Sequence, residues 1–149
     1  MHRGYTLQPV AAFEVTARVL GVARYHGEQH GRLAPYDLAV GWGLMSDTAV
    51  LNHLDIQQHD RVYRWAGTEE APDTRTIIRH STNIHIVPTT AGLGGQIAGL
   101  RPGQVVTLRG QLVDVTSPDG SRWRTSRSRT DAGVGACEIL WLEDVVQAE

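Results

Sequence analysis

With 41% apolar and 20% charged residues, a chain of 149 residues can bury one sizeable core and little of a second, and the balance does not fit long disorder. The formal charge of −2 gives no global attraction to nucleic acid or anionic lipid, so binding of either would need a local patch. No apolar run of about 18 residues is present to span a bilayer, and a single cysteine, Cys137, excludes an intrachain disulfide framework.

One globular domain is expected over 1–149, with 1–11 as an extended N-terminal segment; "MHRGYTLQP" is too polar for the apolar core of a signal peptide. From Ala12 to Leu20, Phe13, Val15, Ala17 and Val19 alternate with Glu14, Thr16, Arg18 and Leu20, the period of a half-buried strand. "YHGEQHGRLAP" reads as a loop, and "PYDLAVGWG" as one helical turn begun at Pro35 and ended by the glycines around Trp42. In "SDTAVLNHL", Ser46 is the expected N-cap of a short helix presenting Val50, Leu51 and Leu54.

"RVYRWAG" fits a strand and "GTEEAPD" a loop; a further strand is expected around Ile84 to Val87, then a weak helix in "TTAGLGGQIAGL" capped by Thr90, then a turn at "RPGQ". The clearest element is a hairpin of "QVVTLRGQLVDV" and "SRWRTSRS", where Pro118 presets the turn and Gly120 takes positive φ. Gly110 marks a bulge that lets the longer strand bend. In "ACEILWLEDV", Cys137, Ile139 and Trp141 line one face and Glu138, Leu140 and Leu142 the other. Together these elements predict a mainly β, β-rich α+β fold: a compact, partly open small β-barrel, with the oligonucleotide/oligosaccharide-binding (OB) type as one option, and one or two short helices.

The stretches "LAPYDLAVGWGLMSD", "RHSTNIHIVP", "LVDVTSPDGSRWRTS" and "GACEILWLE" resemble a family of uncharacterised bacterial proteins over most of Phe13 to Glu143. Its members often begin with a hydrophobic segment that places the domain outside the inner membrane. The resemblance therefore implies an envelope-associated, periplasmic domain where such a segment has been removed, and a cytoplasmic one otherwise. It implies no activity.

Several side chains carry candidate chemistry. In "RHSTNIHIVP", His80 and His85 are an odd number of positions apart, so a regular strand points them to opposite faces; that parity counts against a chelate, and no metal or cofactor is expected. Cys137 could act as a nucleophile if His80 or His85 drew off its proton, as in a small hydrolase or thiol enzyme, although a lone cysteine on an apolar strand face is commonly a buried core residue. Arg109, Arg122 and Arg124 with Trp123 form a second set, suited to a phosphate backbone and a stacked base of single-stranded nucleic acid; arginines on strands also serve as ordinary edge-protecting charges. Trp42, set between glycines, either packs or offers a flat face to a partner. The leading expectation is a non-enzymatic binding module for a protein or an envelope-associated ligand, with the thiol enzyme and the nucleic-acid binder as alternatives.

Overall fold

The computed structural model describes residues 2–27, 30–126 and 137–148. Strand β1 (Thr6–Arg24) is long enough to serve two neighbours: Thr6 to Arg18 pair with β6 (Val105–Thr116), and Arg18 to Arg24 with β2 (Tyr36–Gly41). β2 lies antiparallel to β5 (Ser81–Pro88), β5 runs parallel to β8 (Ile139–Gln147), and β8 returns antiparallel to β6. The pairings thus form a ring-like sheet in the order β1-β2-β5-β8-β6 and back to β1.

Alternation along each strand fills the inside of this ring. Val15, Ala17 and Val19 meet Tyr36, Leu38 and Val40, Ile84 and Ile86, Val106 and Leu108, and Leu140 and Leu142 in one apolar cluster. Helix α3 (Ala91–Ala98), whose first turn is capped by the Thr90 hydroxyl accepting from the Leu93 N–H, adds Ile97, and Leu100 follows it into the same cluster. The outside of the ring is also covered, in two patches. Val87, Val113, Val115 and Ile139 pack with Leu33 and Ala34 of the loop before β2. Leu20, Ala39, Met45 and Ile77 pack under a separate two-stranded sheet, β3 (Leu54–His59) and β4 (Val62–Gly67), through Ile56, Tyr63 and Trp65.

Burial on both faces explains where periodicity misleads. "YDLAVG" is strand β2, not a helical turn: all six residues are buried, so the run carries neither the alternation of a half-exposed strand nor a polar helix face. The helix cap also moves by one residue. Gly43–Ser46 form a short 3-10 turn, and Asp47, not Ser46, caps α1 (Thr48–Leu51) by accepting from the Ala49 N–H; the Ser46 hydroxyl turns back to the Gly43 carbonyl. Leu54 opens β3 instead of ending that helix. Thr6 to Ala11, expected as a lead segment, belong to β1 and pair with β6. A further helix, α2 (Thr74–Arg79), is capped by Asp73 just after the "GTEEAPD" loop.

The hairpin forms as expected, with Gly120 at φ +89°, but its second arm, β7 (Arg122–Trp123), pairs only with Thr116 and Val115. β8 occupies the same edge of β6 from Val106 to Leu112, leaving β7 the free end of the strand. Register slips between Arg109 and Gly110 as the sequence predicts, and glycine is needed there because a Cβ would stand 2.1 Å from the Trp141 carbonyl oxygen. Gly110→Val is expected to destabilise the fold by about 3 kcal/mol or more, since backbone must move to admit it. Gly95→Ala, on the open side of α3 with nothing near the added methyl, is expected to stabilise by about 0.5–1 kcal/mol; urea unfolding of both variants measures the contrast.

Candidate functional site

Asp37 is the one acid within the apolar run of β2, and its carboxylate is fully buried on the outer face of the ring. Register sets its main partner: Asp37 stands opposite His85 of β5, and His85 Nδ1 lies 2.8 Å from Asp37 Oδ1. Two residues back on the same face of β5, Asn83 donates Nδ2–H to Asp37 Oδ2 at 3.0 Å and accepts at Oδ1 from Gln58 Nε2 at 2.8 Å. The third donor comes from the β3–β4 turn, where Arg61 Nη1 donates to Asp37 Oδ1 and Nη2 to the Ala34 carbonyl, each at 2.5 Å. Burial alone would raise the Asp37 pKa, but the His85 hydrogen bond and charge, the Arg61 charge and the Asn83 hydrogen bond together hold it below its ordinary value.

Aromatic rings close over this cluster. Trp123 of β7 lies between two imidazoles, stacked on His30 at 4.7 Å with an 18° interplanar angle and tilted against His85 at 4.7 Å. The guanidinium of Arg61 sits 4.0 Å from the centre of the Tyr25 ring and 5.5 Å from that of Trp123, and the Arg61 backbone N–H donates to the Tyr25 hydroxyl at 2.7 Å. Burial raises the Tyr25 pKa; burial first, then the Arg61 charge, lowers that of His30. Arg61 reaches the site from a turn in which both it and Asp60 have positive φ, 67° and 53°, in the left-handed region that glycine and asparagine usually fill.

The residues singled out in the sequence are thus divided. His85 and Trp123 meet in the cluster. His80 does not join them: its Nδ1–H donates to the Thr76 carbonyl at 2.7 Å, closing the end of α2, and its ring packs against Gly43. Trp42 is half-buried against the ring's interior, and its backbone N–H donates to the His80 carbonyl at 2.9 Å. Arg109 is exposed on β6 and paired with Glu14 across the β1–β6 ladder, roughly 23 Å along the strand from the β7 pairing. Arg122 and Arg124 are exposed and flank Trp123, which points inward. Arg127 and Arg129, which follow Arg124 in "SRWRTSRS" and just beyond it, and the Gly-rich stretch 130–136 before Cys137 lie outside the described residues.

Cys137 is half-buried beside Asn83, and burial first, then the Glu138 and Asp37 carboxylates, push its thiol up to about 12 against the Asn83 hydrogen bonds. At neutral pH that leaves the thiol almost wholly protonated. Asp37 carries one sequence signal, an acid inside an apolar run. Tyr25, His30 and Arg61 carried none, because only the fold brings a loop and a hairpin tip to β2. Comparison with known protein families and with curated proteins returns no match.

Asp37→Asn is expected to lower stability by about 3–5 kcal/mol at neutral pH, because the buried Arg61 guanidinium loses the charge that balances it. The depressed pKa sets the sign of the pH dependence: the Asp37 contribution is full above the ordinary carboxylate range and is lost as pH falls through the lowered value. Urea unfolding from neutral to strongly acid pH should show that the acid-side loss of stability is shallower in D37N. Cys137 in the folded protein is expected to react with iodoacetamide at about a thousandth of the rate of the unfolded chain at neutral pH, read by mass spectrometry.

Proposed function

We propose that this chain is a non-enzymatic binding module that engages a partner protein through the rim formed by the loop before β2 and by β7, on a small β-barrel of the OB type. The strand order supports the architecture. Counting only ring strands, the path is first, second, third, fifth, fourth and back to first, with the third and fifth parallel and a helix between third and fourth. The observation that carries the function is the cover over Asp37 and His85. A histidine that is to move protons needs an approach for substrate, whereas His85 is buried beneath Trp123 with its Nδ1 committed to Asp37. The rim carries exposed Arg32, Arg122 and Arg124 around the half-buried rings of Trp123 and His30. A rigid aromatic anchor ringed by planar cations is the composition of a recognition surface.

A second reading, single-stranded nucleic acid at the same rim, is favoured by the two exposed arginines flanking Trp123. Placing a photo-crosslinking amino acid at Arg122 in cells of the source organism is expected to yield a discrete protein adduct that Trp123→Ala removes. Adducts from a control position on the exposed face of α3 with none from the rim would overturn the proposal. If nucleic acid is the ligand, a labelled oligothymidine binds instead, and its affinity falls steeply with salt and falls again in Arg122→Ala/Arg124→Ala.

A further inference from the structure

The guanidinium of Arg61 occupies a complete cation-recognition cage. Asp37 supplies a buried charge, the Ala34 carbonyl a second acceptor, Tyr25 a ring face at 4.0 Å and Trp123 a further aromatic wall. Two acceptors at different positions and a stacking face suit a planar fork with several N–H groups; a compact ammonium ion cannot satisfy all three together.

The walls have supports besides their occupant, although the Arg61 backbone N–H also donates to the Tyr25 hydroxyl. Asp37 is fixed by His85 and Asn83, and Tyr25 by the ladder that ends at Arg24 and by its own N–H on the Pro35 carbonyl. The Ala34 N–H donates to the His30 carbonyl, and Trp123 is stacked between two imidazoles. All of these belong to the ring strands or to segments joined to them. The occupant belongs to the β3–β4 sheet, which among the described residues shares no strand pairing with the ring. It sits at the tip of that hairpin, in the two-residue turn closed by the His59–Val62 pair, where Asp60 and Arg61 both have positive φ.

We propose that this cage is a guanidinium-binding site filled in cis by Arg61, and that an arginine side chain of the partner protein exchanges with it. The identity of the ligand's carrier rests on the protein-binding reading above; the cage itself can be tested with no partner. Because cis occupancy leaves only the open fraction competent, an outside arginine binds the resting chain more weakly than it binds an emptied cage by that same fraction.

The probe is N-acetyl-arginine amide, with N-acetyl-lysine amide for comparison, titrated by NMR into the intact chain and into Arg61→Gly, where glycine accepts the turn's positive φ. The variant is expected to bind the arginine amide saturably, about tenfold or more tighter than the unaltered chain does and about tenfold tighter than it binds the lysine amide. The shifts should centre on Tyr25, Ala34 and the Trp123 indole. A folded variant that binds neither amide, or both equally, overturns the proposal. Should the variant not fold, the unaltered chain decides: arginine amide at about 100 mM must displace the Arg61 side-chain N–H signal from its caged position, and an unmoved signal overturns the proposal. Rim crosslinks without cage binding remove this inference alone; cage binding without rim crosslinks removes the partner-protein reading alone.

Discussion

A carboxylate with no access to water must be surrounded by donors, and the demand of Asp37 for them ties four parts of this protein together. Leaving such a charge uncompensated costs several kcal/mol, a large fraction of the stability of a domain of this size. Its donors come from β5 through His85 and Asn83, and from the β3–β4 turn through Arg61, which in turn holds the Ala34 carbonyl and the Tyr25 ring of the loop before β2. None of these segments could shift far alone without leaving a buried polar group unpaired. The net lowering of the Asp37 pKa, despite burial that raises it, indicates that the charged form is the one the surroundings are built to hold.

This cluster sits at the boundary between the ring and its cover. Successive residues of β2 and β5 face opposite ways, so Leu38, Ile84 and Ile86 fill the interior while Asp37, Asn83 and His85 face out. Had the outer face been open to water, the three polar residues would need nothing further. Covering it with the β3–β4 sheet and with Trp123 makes each of them a partner that must be satisfied, and also removes His85 from solvent. The same covering leaves half-exposed aromatic rings at the rim, the feature on which we base the proposal of a recognition role.

Legibility followed exposure. Elements with one wet face, such as the alternating part of β1, or with strong local chemistry, such as the turn at Gly120 and the Thr90 cap, were readable from residues alone. β2 was not, because a strand buried on both sides has no alternation to read. In the site, His85 shares a face of β5 with Asn83 and Ser81, whereas His80 is kept apart because it caps α2 and does not lie on the strand, which pleat parity alone does not tell. Nor could parity reveal that Arg61, 24 positions from Asp37 in the chain, would supply the balancing charge.

The sequence by itself determined a small, mainly β domain, its bend at Gly110, its hairpin at Gly120 and the two-faced burial of β8, since each follows from local sterics or from a repeat of two. Only the tertiary structure decided that Asp37 would be buried, that Trp123 would lie between His30 and His85, and that Arg61 would fill the cage beneath. Those contacts join segments far apart in the chain, and their stability arises from excluding water, a condition that no segment meets until the others are in place.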